Sequence, residues 1–323
     1  MTPVSYVLPV RSRPGDTSDA DLDAYLAWLA ARADVVVVDG SDPPTFAEHG
    51  ERWGGIVRHV APASDLRCAN GKAWGVRTGV RLARHDRVVI ADEDVRYDGA
   101  ALERIVRLLE GAHIVRPQNR FDPVPWHARW DTARILLNRA LGHDHPGTLA
   151  IRRSFFLEIG GYDGDVLFEN LELVRTIEAA GGRVLDAPAL FVGRRPPTVR
   201  RFLEQRPRQA YDDWAHPLKL AAMLAVLPAA IAMRSRPRAL VAGAALAVAA
   251  AEVGRLRHDG RRAFDAVSPL LAPLWVLERA TMAWVALASR VVRGGCPYAG
   301  SVIRPAATPS RTLRRRFRKP SEG

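Results

Sequence analysis

The feature that most constrains the fold is a series of short, continuous apolar runs that alternate with segments of helical periodicity between residues 4 and 115. The clearest runs, rich in valine and isoleucine, are residues 4–10, 34–38 and 87–91. Strands that are apolar on both faces need cover on both, and helices between parallel strands supply it. The sequence therefore predicts an α/β fold with helices on both faces of a parallel sheet.

Polar residues follow these runs, at residues 9–13, 39–42 and 92–94. In an open α/β sheet, ligands bind beyond the carboxyl ends of the strands, so we expect the functional site there. Strand alternation places Asp92 and Asp94 on the same side, where their carboxylates could hold Mg²⁺ or Mn²⁺ against phosphate oxygens. The alternative is a solvated acidic turn.

Asp39 and Lys72 are further candidates. Asp39 could accept a hydrogen bond from a nucleobase or cap the turn that follows it. Lys72 stands at the start of a predicted helix over residues 70–84, where its ammonium could approach a diphosphate. The sequence contains neither a P-loop motif nor the glycine fingerprint of dinucleotide-binding proteins.

The composition changes at Pro217, after which three apolar segments cover residues 217–233, 239–253 and 264–292. The first two would each be about 25 Å long as helices, against about 30 Å for a hydrocarbon core. They could span a thin bilayer or form a buried hairpin. Glu278 and Arg279 lie within the third segment, which favours an interfacial helix over a third span.

The net charge of +12 favours anionic partners. The basic tail of residues 311–319 is expected to be disordered, either as a solvated tail or attracted to anionic lipid. No recognition helix or zinc-finger pattern accompanies these charges, so lipid is favoured over nucleic acid. Two cysteines and the absence of a signal-peptide pattern predict a reducing, cytosolic setting.

Six blocks resemble, in order and spacing, those of family 2 glycosyltransferases of the GT-A type: VLPVRSR, VVVVDGSD, NGKAWGVRTGVRLA, VVIADEDV, LAIRRSFFLEIGGYDGDVLFENLEL and FLEQRPRQAYDDW. The resemblance covers about residues 4–214. It implies a GT-A-type nucleotide-binding sheet and an inverting transfer of a sugar from a nucleoside diphosphate donor. The expected domains are the transferase at 1–214, membrane-associated helices at 215–293 and the tail at 294–323.

By position, the resemblance implies nucleoside binding by Pro9, Arg11 and Asp39. It implies that Lys72 contacts the phosphates or the nearby ribose. Asp92 and Asp94 would hold the metal ion, with Asp92 also at the diphosphate.

The general base is expected at Glu169, because the Glu-Asp pair of the family falls on Glu169 and Asn170 and an amide cannot take up a proton near neutral pH. Glu172, one helical turn further, is the other candidate. The alternative is that both are acids stabilised at the amino end of a helix.

The segment of residues 205–209 resembles the Q-x-x-R-W block of processive and lipid-acceptor members, with Gln209 in place of tryptophan. Gln205 and Arg208 would then contact the leaving diphosphate. The alternative is a basic stripe beside a membrane. His143 and His145 lie in a polar loop and are not counted as metal ligands.

Together these features predict a membrane-attached hexosyltransferase that acts on a lipid or lipid-linked acceptor at the cytosolic face of the membrane. The alternative is a non-catalytic nucleotide-binding or scaffold protein that retains the fold, suggested by Asn170 and Gln209.

Overall fold

The computed structural model describes residues 2–12 and 20–318. The chain divides into two units. The first contains Met1–Pro117, Pro146–Val192 and Thr308–Gly323, and the second contains Gln118–His145 and Gly193–Ala307. These bounds differ from the expected ones at residues 214 and 293.

The first unit is built on an eight-stranded sheet in the order β3-β2-β1-β4-β7-β6-β8-β5. The strands are β1 (Ser5–Val10), β2 (Asp34–Asp39), β3 (Arg58–Val60), β4 (Arg87–Ala91), β5 (Val95–Arg96), β6 (Ile114–Phe121), β7 (Thr148–Arg152) and β8 (Val184–Arg194). The strands β1 to β4 pair in parallel, whereas β7 runs antiparallel to β4 and β6. The α/β class is confirmed, but the sheet is mixed rather than parallel throughout.

The helices are α1 (Ala20–Ala30), α2 (Pro43–Trp53), α3 (Gly71–Leu82), α4 (Gly99–Leu108), α5 (Trp126–Leu141), α6 (Arg153–Glu158), α7 (Glu169–Ala179), α8 (Val199–Tyr211), α9 (Pro217–Ala232), α10 (Pro237–Leu256), α11 (Ala272–Arg293) and α12 (Ser310–Phe317). In the first unit, two apolar cores cover opposite faces of the sheet. Tyr6 and Leu8 of β1 pack with residues of α1 and α4, and the intervening Val7 packs with residues of α3 and α7. Strand alternation therefore produces the expected cover of helices on both faces.

Helix α3 lies unusually close to β1 because two glycines face the strand. A Cβ on Gly75 would lie 2.8 Å from Pro9 Cβ, and a Cβ on Gly79 would overlap the side chain of Val7. This close approach brings the start of α3 to the carboxyl end of β1, where the candidate residues lie.

The second unit is helical, and its helices α5, α10 and α11 pack against one another. Helix α11 also packs on α8 and α9. The charged pair in the middle of α11 is buried in these contacts: Glu278 binds Arg206, with its Oε2 2.5 Å from Arg206 Nη2, and Arg279 binds Asp213 at 2.8 Å. This face of α11 therefore packs on protein.

By length and composition, two described segments could cross a membrane: Pro237–Leu256 and Ser268–Arg293. The first expected span corresponds to α9, which has 16 residues and is shorter than the others. The second corresponds to α10. The third segment, expected to be interfacial, is long enough to span, but its central charges are paired within the protein.

The tail differs from the expected disorder over its described part. Strands β9 (Cys296–Tyr298) and β10 (Ser301–Ile303) pair as an antiparallel hairpin, and α12 packs on α7. Leu313 lies among arginines in the sequence but is only 3% exposed. The prediction of disorder relied on the basic residues and overlooked this apolar side chain. The last residue of the basic run, Lys319, lies outside the described residues.

We predict that Gly79→Ala destabilises the protein by about 1–3 kcal/mol, because the added methyl group must displace Val7 from a packed core. Urea unfolding of the full chain measures this. The matched control is Gly99→Ala in α4, where a Cβ meets no atom within 4 Å and the free energy of unfolding should not fall. Equal effects of the two substitutions would contradict the close approach of α3 and β1.

Candidate active site

Asn70 positions the first part of the site by joining α3 to the chain that precedes α7. Its Oδ1 accepts hydrogen bonds from the backbone N–H groups of Lys72 and Ala73, which caps α3. Its Nδ2 donates to the carbonyls of Val166 and Leu167 at 3.0 and 3.1 Å. Because Asn70 is fully buried, these bonds fix Lys72 beside the start of α7.

The Lys72 ammonium lies between two carboxylates from distant parts of the chain. Its Nζ is 2.5 Å from Asp92 Oδ1, after β4, and 2.7 Å from Glu169 Oε1, the first residue of α7. Burial by itself would lower the pKa of Lys72, but the two carboxylates raise it above its ordinary value. Lys72 therefore stays protonated near neutral pH and holds both acids. Three of the expected site residues are thus brought together.

The acidic segment after β4 is a turn rather than a continued strand. Glu93 and Asp94 form the turn, and the N–H of Val95 donates to the carbonyl of Asp92. The expected strand alternation of Asp92 and Asp94 is therefore wrong, because the chain reverses before β5. Asp92 itself is held by its N–H bond to the Gly147 carbonyl at 2.8 Å.

Gly147 also leaves space at the Asp92 carboxylate. A Cβ at this position would lie 2.5 Å from Asp92 Oδ2. The neighbouring Pro146 carbonyl accepts from Asn170 Nδ2 at 3.1 Å, so one short segment contacts both the turn after β4 and the start of α7. Asn170 thus has a positioning contact at this segment.

Asp39, at the end of β2, faces its own chain. Its Oδ1 accepts the N–H of Ser41, and its Oδ2 contacts His49 Nδ1 at 2.7 Å and His59 Nε2 at 3.0 Å. These hydrogen bonds outweigh the effect of burial and lower the pKa of Asp39. With an exposure of 1%, Asp39 organises the strand end and does not present its carboxylate to solvent.

Pro9 and Arg11 lie at the neighbouring end of β1. The N–H of Ser12 donates to the hydroxyl of Ser41, which links this end to the Asp39 turn. Arg11 is exposed, and a Cβ on Gly71 would lie 4.0 Å from its Nη1. The Arg11 guanidinium therefore lies beside the amino end of α3.

Glu172 and Glu169 both lie on the first turn of α7, but their carboxyl groups contact different partners. Its Oε2 accepts the backbone N–H of Thr308 at 2.6 Å, and Arg175 donates to the Thr308 carbonyl at 3.3 Å. Glu172 is fully buried, and burial raises its pKa. Its carboxyl group therefore anchors the segment that leads into α12.

Gln205 and Arg208 lie on α8 in the second unit. The Arg208 guanidinium lies over the Tyr298 ring, 4.8 Å from its centroid. The buried arginine of this segment is instead Arg206, which binds Asp131 at 2.9 Å as well as Glu278. The expected contacts of Gln205 and Arg208 with a diphosphate stay a prediction.

Sequence reasoning missed Asn70, His49, His59, Arg206 and Thr308. The preference of asparagine for the residue before a helix could have identified Asn70. The histidines lie 10 and 20 residues after Asp39, and the partners of Arg206 and Thr308 lie 72 to 136 residues away in sequence. No local pattern marks contacts of that range.

Comparisons with known proteins give no match to a family model and none to a curated protein sequence. Among solved structures, the chain is similar to a mannosyltransferase from Pyrobaculum calidifontis in complex with GDP-Man and Mn²⁺. The identity is 19%, with 91% of this chain and 76% of that chain covered, and the TM-score is 0.47.

It is also similar to glucosyl-3-phosphoglycerate synthase from Mycobacterium tuberculosis in complex with Mg²⁺ and UDP, with 17% identity, 62% and 73% coverage and a TM-score of 0.42. For mannosyl-3-phosphoglycerate synthase from Rubrobacter xylanophilus, the corresponding values are 16%, 64%, 71% and 0.42. Similarities at this level assign no activity to the chain, so its function is argued below from its own residues.

The buried carboxyl of Glu172 generates a pH-dependent prediction. Since its pKa is raised in the folded protein, the contribution of Glu172 to stability falls as the pH rises above about 4.5, the ordinary value for glutamate. Glu172→Gln keeps an acceptor for the Thr308 N–H but does not titrate. We expect the free energy of unfolding of the variant, relative to wild type, to increase as the pH rises from 4 to 7, measured by urea unfolding.

The matched control is Glu178→Gln, which removes a carboxylate from an exposed position of the same helix. If the difference in free energy of unfolding between Glu172→Gln and wild type stayed constant from pH 4 to 7, the raised pKa of Glu172 would be refuted.

Proposed function

We propose that the protein is an inverting glycosyltransferase that transfers a sugar, a hexose in our proposal, from a nucleoside diphosphate donor. The observation that carries the proposal is the Lys72 ammonium held between Asp92 and Glu169 beyond the ends of β1, β2 and β4. One cation thus joins a candidate metal ligand to a candidate base. This combination suits a reaction in which a diphosphate leaves while a hydroxyl loses a proton.

Glu169 is the proposed general base. Its carboxylate takes the proton of the acceptor hydroxyl as that oxygen forms a bond to the anomeric carbon. The bond from this carbon to the diphosphate oxygen breaks at the same time. The diphosphate keeps the bonding electron pair and leaves from the face opposite the attacking hydroxyl. Glu169 is preferred over Glu172, because the Glu172 carboxyl already binds the Thr308 backbone.

Lys72 is proposed to bind the diphosphate as a protonated donor, and Arg11 to contribute charge at the nucleoside end. Both lie at the amino end of α3, where backbone N–H groups favour anions. Pro9 and the buried Asp39 shape the nucleoside end. The Asp39 carboxylate is buried, so in this proposal Asp39 does not contact the nucleoside directly. It positions the turn at Ser41, which lies at the nucleoside end of the site.

The residues after β4 suit a hard divalent cation. Carboxylate oxygens of Asp92 and Asp94 are ligands that Mg²⁺ and Mn²⁺ prefer, and Gly147 keeps space beside Asp92 Oδ2. Asp92 and Asp94 would hold the ion, which when bound would neutralise charge on the diphosphate. The proposal needs Lys72 to exchange its contact with Asp92 for one with the phosphates.

We predict that Glu169→Gln lowers kcat by about 10²–10⁴-fold, as is typical for loss of a general base, while the affinity for the donor changes little. The assay measures donor hydrolysis and transfer by the full chain, over a panel of nucleoside diphosphate sugars, with and without Mn²⁺. Glu178→Gln on the exposed side of α7 is the control and should keep the wild-type rate.

The other outcomes are distinct. Loss of rate in Glu172→Gln but not in Glu169→Gln would exchange the two roles. If the wild type bound nucleoside diphosphates tightly but turned over no donor, the non-catalytic scaffold would be the better description. A rate unaffected by a chelator would refute the role of Asp92 and Asp94 in metal binding.

We further propose that the second unit attaches the protein to the cytosolic face of a membrane and that the acceptor is a lipid or lipid-linked molecule. Several large apolar side chains of its helices face away from the rest of the unit. On α10, Val241 is 67% exposed and Leu246 is 72% exposed, and on α9 Leu218 is 89% exposed. Exposed apolar helix faces of this kind need cover, and hydrocarbon supplies it.

Each unit also exposes clustered basic residues, which favours a lipid surface over a protein partner. Arg234, Arg236 and Arg238 lie exposed between α9 and α10. In the first unit, α12 exposes four further arginines: Arg311, Arg314, Arg315 and Arg316. Each basic residue near an anionic surface adds about 1 kcal/mol of attraction. Nucleotide sugars are cytosolic in this proposal, so the transferase lies on that side.

We predict that the double variant Val241→Asp, Leu246→Asp loses vesicle binding, because each charge costs about 2.5–3.5 kcal/mol at the centre of a membrane helix. Flotation of the full chain with vesicles of neutral and anionic lipid, washed with low and high salt, measures this. Wild type should remain bound after the high-salt wash.

The matched control is Ile56→Asp, Leu82→Asp, which places the same charges at exposed apolar positions of the first unit and should leave flotation unchanged. Release of wild type by salt alone would mean that attachment is electrostatic, and would refute burial of α10 in hydrocarbon.

A further inference from the structure

We propose that Asp39, His49 and His59 form a binding site for a first-row transition-metal ion of the Zn²⁺ type, separate from the oxygen-donor residues after β4. The inference goes beyond the proposed transferase activity and does not depend on it. It rests on the convergence of three ligand types at one buried point.

The three ligand atoms come from separate elements of the first unit: the end of β2, helix α2 and strand β3. His49 Nδ1 and His59 Nε2 both point at the same oxygen, Asp39 Oδ2, at 2.7 and 3.0 Å. Among the residues that the structure describes, this is the one group of three such side chains whose ligand atoms all lie within 4.8 Å of one another.

Aromatic contacts fix the orientation of both imidazoles. The ring of His49 stacks on Trp53, with centroids 4.2 Å apart, and the ring of His59 stacks on Phe46 at 4.4 Å. The two imidazole planes are nearly perpendicular, at 83°. Imidazole rings that packing already holds in place lose little conformational entropy when an ion binds.

The donor set selects the class of ion. Two imidazole nitrogens and one carboxylate oxygen suit Zn²⁺ and neighbouring transition metals, whereas Mg²⁺ prefers oxygen ligands alone. Zinc bonds of about 2.0–2.1 Å in tetrahedral geometry place ligand atoms about 3.3 Å apart, so the histidines need to separate from Asp39 by a few tenths of an ångström. Three protein ligands leave the fourth position to water.

The proposed ion would tie α2 and β3 to the strand end that carries the Asp39 turn. All three side chains are almost inaccessible, so a bound ion would be shielded from substrate. Without an ion, the same geometry is a hydrogen-bonded Asp-His-His cluster, and the experiment distinguishes the two.

The test titrates Zn²⁺ into metal-free, full-length protein in competition with a chromophoric chelator. We expect one tight equivalent in wild type and at least about tenfold weaker binding in His49→Gln and in His59→Gln. His85→Gln, which alters a histidine outside the cluster, should bind as wild type does. Circular dichroism of each variant shows whether it is folded.

A second measurement needs no variant. X-ray absorption spectroscopy of the zinc-loaded wild type should show only nitrogen and oxygen ligands, two of them imidazoles. Absence of a tight equivalent, binding unchanged in both histidine variants, or sulfur in the zinc shell would each overturn the proposal and leave the hydrogen-bonded cluster. Excess Mg²⁺ should not displace the ion, and displacement would also overturn it.

Discussion

The contact on which the candidate site depends is the ammonium of Lys72 between the carboxylates of Asp92 and Glu169. Two carboxylates brought this close repel each other, and in a partly buried position the repulsion is weakly screened. A protonated lysine removes that cost. The side chains of Asn70 and Asn170 and the close approach at Gly147 then set where the three elements meet.

The second unit also contains buried charges, which are paired with one another inside its helical core. Arg206 contacts both Asp131 and Glu278, and Arg279 binds Asp213. Removing one partner of a buried pair typically costs about 3–5 kcal/mol, because the other charge is left without compensation. The charges in the middle of α11 therefore fix which face of that helix contacts protein. Their presence in an apolar segment is explained by pairing rather than by exposure to lipid headgroups.

Local patterns predicted several strands of the sheet but neither its mixed strand directions nor the contacts within the site. Continuous valine and isoleucine runs predicted β2 and β4, and the apolar run of residues 4–10 predicted β1, because a strand covered on both faces is mostly apolar. The same reasoning failed at Asp94, where a turn replaced the strand. It also failed in the tail, where α12 packs on α7 and Leu313 is buried despite its charged neighbours. The partners of Glu172 and Asp39 lie far from them in sequence and come together only in the folded chain. No rule on residue spacing predicts such contacts.

The two acids of α7 illustrate how environment separates residues that the sequence leaves equivalent. Glu169 and Glu172 are one turn apart and both are buried, so burial alone does not distinguish them. Glu169 faces a protonated lysine, whereas Glu172 faces a backbone N–H, a weaker compensation for an anion. Burial raises the pKa of the Glu172 carboxyl, whereas the Glu169 carboxylate is paired with the Lys72 ammonium. The same chemical group therefore anchors a backbone segment at one position and pairs with a lysine at the other.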